Sequence, residues 1–127
     1  MGDLIVLGLG GFAGSIFRYL LSGWGQNLAA AFNFPLGTLT VNLLGCFAIG
    51  LVSAAIDLRG WFEPQQRLLI LTGLLGAFTT FSTFGLETVR LIDQGEAVAG
   101  LLNIAANVVL GLLLVIVGRK AFLWLGG

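Results

Sequence analysis

Long apolar runs alternate with short polar breaks along the whole chain. Four runs stand out, over about residues 4–24, 35–56, 68–89 and 97–118, joined by short connections at 25–34, 57–67 and 90–96. Each run is close to the roughly 20 residues that an α-helix needs to cross the hydrocarbon core. The pattern predicts an all-α membrane protein, residues 1–127 forming a single domain of four transmembrane helices. Pro35 suits a helix start, where its missing N–H costs nothing, and Glu63-Pro64 precedes the third run. Residues three or four apart share a helix face. On that rule Gly11, Ser15, Arg18 and Ser22 line up in the first span. Thr38, Asn42 and Gly45 line up in the second, with Cys46 and Ile49 close by, and Gly100, Asn103, Asn107 and Gly111 in the fourth. Polar side chains at membrane depth face the bundle interior or a wet cavity. The asparagines could glue helices together or line a path.

The third run carries the strongest polar signal, "GAFTTFSTFGLE" from Gly76 to Glu87. Its span centres near Phe78 and Thr79, so Thr79, Thr80, Ser82 and Thr83 fall at the bilayer centre. Clustered Ser and Thr compete with the helix for backbone hydrogen bonds, and Gly73, Gly76 and Gly85 flank them. A helix broken at mid-membrane is expected. Irregular backbone survives at that depth only where protein buries it or it lines a watery cavity, and freed carbonyls there make a cation site. Phe81 and Phe84, one turn apart, could present positive ring edges to a small anion beside the hydroxyl and amide donors. The ring faces could instead attract a cation. Phe78 reads as packing.

Composition narrows the function. Only 9% of residues are charged and 57% are hydrophobic, against about 25% charged in soluble domains. Net charge is zero, which argues against nucleic acid as a partner. The chain has one cysteine and no histidine, so a Cys/His metal centre and an intrachain disulfide are excluded. No nucleophile–base pair is visible, and an enzyme is not expected. Arg59, Arg67, Arg119 and Lys120 fall on one side of the membrane and Arg90 on the other, a weak bias that leaves dual orientation open. Trp24, Trp61 and Trp124 sit at expected lipid–water boundaries. Gly10 and Gly14 form a GxxxG pair for close helix approach. Arg18 either draws an anion toward a vestibule or bonds carbonyls or Glu87, and Glu87 could pair with Arg90 three residues on.

Three motifs resemble the Fluc family of fluoride channels (CrcB-type): "GGFAGSIFRY" from Gly10, "GTLTVNLLGCFAIG" from Gly37, and the third-span stretch from Gly76. The resemblance covers essentially the whole chain, with Ser15 where Ala is common. It implies an antiparallel, dual-topology homodimer in a bacterial cytoplasmic (inner) membrane, with two pores that export fluoride passively. By motif position, Asn42 is the pore asparagine, Phe81 and Phe84 are the ring-edge pair, and Ser82 and Thr83 join the polar track. Carbonyls of Gly76 and Thr79 from both subunits would hold a central structural sodium ion, and Arg18 matches the first-span arginine. Asn103 and Asn107 face the right way to extend the pore. Glu87 and Arg18 stand as vestibule or structural residues. A small proton-coupled exporter is the alternative, although no carboxylate lies in the middle of a span. A non-transporting assembly subunit is a third reading.

Overall fold

A computed structural model describes residues 1–126. Four helices are long and apolar enough to cross a membrane: α1 (Gly2–Leu28), α2 (Leu36–Arg59), α3 (Pro64–Asp93) and α4 (Ala97–Gly126). All four expected spans are therefore present, and each helix extends past its apolar run. The extensions carry charged or polar residues, such as Asp3, Gln26, Arg59 and Arg119. Gln26 near the end of α1 donates to the Phe34 carbonyl and accepts the Gly37 N–H, which folds the first connection back onto the helix end.

The helix ends follow from local chemistry. Gly60 closes α2 in the left-handed conformation, at φ 64°, where its N–H caps the Ile56 carbonyl. Pro64 opens α3 behind a reciprocal capping box between Glu63 and Gln66. Gly95 turns the chain from α3 into α4 at φ 82°.

The order of packing is set by small residues. α1 lies against the first half of α3, and α2 lies against α4. Gly10 and Gly14 are buried where α1 crosses α3, and Gly50 and Gly118 are buried where α2 crosses α4. Lipid gives apolar side chains no reason to leave it, so close backbone approach and van der Waals contact hold such helices together. The second half of α3 packs on the start of α4. Trp61 and Phe122 meet edge to face at 5.3 Å and close one end of the bundle. There Arg119 bridges Asp57 at 2.9 Å and also donates to Ser53.

Two departures from regular α-helix position the site. α3 bends at Thr79–Thr80, where Thr79 has ψ 160° and Thr80 has φ −149° and ψ 120°, both extended. π-helical turns occupy Leu68–Leu75 in α3 and Ala106–Leu110 in α4. Wide turns of this kind often mark functional positions.

Candidate functional site

The bend in α3 leaves backbone groups without their helical partners, and a side chain from α2 takes them up. The Thr80 N–H donates to Asn42 Oδ1 at 2.8 Å, and Asn42 Nδ2 donates to the Thr80 carbonyl at 3.1 Å. The amide of Asn42 thus pairs with Thr80 as a neighbouring strand would. Thr80 also caps the following turn. Its Oγ1 accepts the Thr83 N–H at 3.2 Å and donates to the Thr83 hydroxyl at 3.0 Å. In a continuous helix the Thr80 N–H would serve Gly76 and the Thr83 N–H would serve Thr79. Both are spent elsewhere, so the carbonyls of Gly76 and Thr79 lose their helical donors.

From Asn42 a chain of hydrogen bonds crosses to α4. Its second N–H goes to Asn107 Oδ1 at 2.9 Å. Asn107 Nδ2 donates to both the carbonyl and the side-chain oxygen of Asn103 at 3.0 Å. Asn103 Nδ2 donates to Thr88 Oγ1 at 3.0 Å, and Thr88 donates to the Phe84 carbonyl at 2.8 Å. Backbone groups at both ends fix the direction of every amide in this series. The Thr80 N–H can only donate, and the carbonyls of Phe84 and Asn103 can only accept.

Open spaces flank this chain. A cavity of about 330 Å³ is lined by Asn42, Cys46, Gly76, Thr79, Phe81, Phe84 and Asn107, among others. A cleft of about 290 Å³ on the other side of Thr80 is lined by Ser15, Arg18, Tyr19, Ser22, Thr38 and Thr83. Thr80 borders both. The polar stripe of α1 therefore faces an open cleft rather than the bundle interior; the buried face of that helix is the Gly10–Gly14 face. On α2 and α4 the expected stripes do turn inward, with Thr38, Gly45, Gly100, Asn103 and Gly111 all buried.

The two phenyl rings differ in surroundings. Their centroids are 5.4 Å apart in an edge-to-face arrangement. Phe84 is 8% exposed, whereas Phe81 is 82% exposed and projects from the helix bundle. Ser82 and Thr83 are exposed beside it. Phe78 is buried, as its packing reading requires.

Glu87 does not pair with Arg90. Its Oε1 accepts the Thr38 hydroxyl at 2.8 Å, and Arg119–Asp57 is the one salt bridge among the described residues. Thr38 lies on the neighbouring helix and offers a short neutral donor, whereas the Arg90 guanidinium is exposed toward a polar alcove shared by Gln26, Asn33, Glu87 and Gln94. Nor does Arg18 bond Glu87; it lines the cleft beside Thr38 and Thr83.

Several participants escape a single-span reading. Thr80 forms the clamp and Thr88 ends the amide series. Thr88 follows Phe84 by one turn, and that spacing signals a hydroxyl turned back to a helix carbonyl. Thr38 was legible as part of the α2 stripe, but its partner was not.

Known proteins share much of this sequence. The family model described as CrcB-like protein, Camphor Resistance (CrcB), matches residues 5–119. The chain is 44% identical over 119 residues to fluoride-specific ion channel FluC 1 of Methanosarcina acetivorans, covering 94% of this chain and 89% of that one. It is 46% identical over 122 residues to fluoride-specific ion channel FluC of Methanococcus aeolicus, with 94% of each covered. A third relative, fluoride-specific ion channel FluC of Rhizobium etli, is 46% identical over 118 residues, covering 93% of this chain and 94% of that one. The match spans all four helices and takes in the α3 bend together with Asn42, Asn103 and Asn107, and so the chain belongs to the CrcB-like family.

Proposed function

We propose that this protein is a passive, fluoride-selective channel that exports fluoride across the cytoplasmic membrane and so relieves fluoride toxicity. One observation carries the reading: at the α3 bend the edge-to-face pair of Phe81 and Phe84, the hydroxyl-bearing Thr79 and Thr80 and the amides of Asn42 and Asn107 line one cavity, and Thr83 lines the cleft on the other side of Thr80. The names of the relatives, fluoride-specific ion channels, support the choice of ion. Fluoride is small and strongly hydrated, so a pore must replace its water with many donors, each weak enough to release it. Ser82 and Thr83 hydroxyls and the ring edges of Phe81 and Phe84 meet that need without a fixed positive charge. The mutually bonded amides of Asn42, Asn107 and Asn103 continue the polar track toward α4 as its wall, holding the bend from which those donors project. Arg18 and Glu87 stand at the approaches, in the cleft and the polar alcove.

In this reading the bend lies at the bilayer centre and interrupts the third helix. The chain works as an antiparallel homodimer inserted in both orientations, with two pores. The exposure of Phe81 at mid-membrane supports a partner subunit against it. Only a segment at mid-depth meets its own copy across a two-fold axis in the membrane plane. The carbonyls of Gly76 and Thr79, which have lost their helical donors, suit a hard cation that takes oxygen ligands. Two from each subunit would form its site. A sodium ion bound there would tie the two bends together by carbonyl coordination. Among the described residues no cluster of acidic, cysteine or histidine side chains competes for a metal.

Expression in a bacterium stripped of its own fluoride exporter tests the reading. Growth on fluoride should be restored by this chain and lost with Phe81→Ile. The contrary result is growth no better than with an empty vector when the protein is present in the membrane.

A proton-coupled exporter remains the second reading because Glu87 Oε2 is buried with no hydrogen-bond partner among the described residues. That reading requires fluoride movement driven by a pH gradient and abolished by Glu87→Gln.

A further inference from the structure

We infer that Asn107 is a positioning residue that acts on the α3 bend through Asn42. The bend depends on the Asn42 amide facing one way. Its oxygen must meet the Thr80 N–H and its nitrogen the Thr80 carbonyl. Turned over, the same amide would set donor against donor and acceptor against acceptor, and two bonds would be lost. The pairing with Thr80 uses one N–H of Asn42 and leaves the other to be satisfied in an apolar setting, where an unpaired donor is costly. Asn107 Oδ1 takes it at 2.9 Å. Asn107 cannot itself turn over without facing its oxygen at the Asn103 carbonyl, which accepts from it at 3.0 Å. The orientation is therefore passed from a fixed backbone carbonyl on α4, through Asn107 and Asn42, to the backbone of Thr80. Asn107 lies in the π-helical turns Ala106–Leu110, on the side of α4 that meets α2.

A consequence follows for the ion path. Both N–H groups of Asn42 and both of Asn107 are committed in this structure. Asn107 shapes the path by holding the bend from which Phe81, Ser82 and Thr83 project.

For its flux readout this inference rests on the fluoride-channel reading, so two measurements are paired. The first is a double-mutant cycle on initial fluoride efflux from liposomes, using Asn42→Ala, Asn107→Ala and the double variant, each purified at the elution position of the parent. Loss of one hydrogen bond that orients a pore group predicts about a tenfold slowing for Asn107→Ala alone, and no further slowing when Asn42 is already alanine. Equal fold-losses in both backgrounds would overturn the inference and place Asn107 against the ion itself. The second measurement is hydrogen exchange of the Thr80 amide in labelled protein, which needs no transport. Exchange at Thr80 should quicken about tenfold or more in Asn107→Ala, with the amides of Leu91 and Ile92 unchanged. Asn107→Ser serves the same purpose if the alanine variant does not fold. Unchanged Thr80 exchange would overturn the inference. Should the parent liposomes retain fluoride, the channel reading fails, and Thr80 exchange still decides the role of Asn107.

Discussion

At the scale of single residues, the two rings of the α3 bend have separable jobs. Phe81 projects from the subunit and Phe84 is enclosed within it. Phe81→Ile should therefore slow fluoride efflux by about tenfold or more while helix content stays at the parent level and thermal unfolding shifts less than for loss of the Phe84 ring. Phe84→Ala removes a buried ring, a change worth about 3–5 kcal/mol in protein interiors, and should lower both flux and thermal stability. A result in which both variants lose stability equally would contradict the separation. Thr80 gives a second residue-scale prediction. Its hydroxyl caps the turn that follows the bend, and a lost cap costs about 1 kcal/mol. Thr80→Ala should lower the unfolding midpoint in detergent and Thr80→Ser should restore it. Some of this was legible beforehand. Asn42, Asn103 and Asn107 announce an inward face by their spacing, and the hydroxyl run announces trouble for a helix. What could not be read was partnership. Helical spacing offers Arg90 to Glu87, yet the carboxylate meets Thr38 across a helix interface. Only packing brings those residues together.

At the scale of elements, glycine decides how near the helices come. A Cβ built on Gly10 would lie 2.5 Å from the Leu69 carbonyl oxygen and 3.0 Å from Gly73 Cα. One on Gly118 would run into the Phe47 carbonyl and lie 3.0 Å from the Leu51 nitrogen. These are backbone atoms, so whole helices would have to separate. Gly8, two residues from Gly10, would meet nothing within 4 Å. Gly10→Ala and Gly118→Ala should each destabilise the subunit by about 1–3 kcal/mol, read as a lower unfolding midpoint, and Gly8→Ala should not. Equal midpoints for Gly8→Ala and Gly10→Ala would contradict the packing described. The sequence marks Gly10 through its pairing with Gly14, but it does not single out Gly118. The spans were legible because about 20 apolar residues are hard to place anywhere but in lipid. Their full lengths were not, since polar helix ends such as 25–28 in α1 carry no apolar signal. Nor were the π-helical turns at Leu68–Leu75 and Ala106–Leu110, because widening a turn reflects the contacts of its side chains and not the residue types in it.

At the scale of the whole molecule, the proposed antiparallel homodimer would give the exposed face of the α3 bend a partner. Phe81, Ser82 and Thr83 are exposed in the middle of the third span, and polar side chains within a span face protein or a wet cavity. A second copy across a two-fold axis would cover them and would bring the carbonyls of Gly76 and Thr79 toward their counterparts. Replacing sodium on both sides of the membrane with N-methylglucamine, which is too bulky for a carbonyl site, should reduce fluoride flux. Flux that is indifferent to the cation after prolonged dialysis would count against the shared site. Ion efflux from liposomes tests fluoride selectivity most directly. Purified protein is reconstituted at low density, the potential is clamped with a potassium ionophore, and fluoride and chloride release are followed with selective electrodes in matched vesicles. A fluoride-selective channel gives rapid fluoride release with chloride retained. Chloride release as fast as fluoride, or retention of both by well-folded protein, would contradict it.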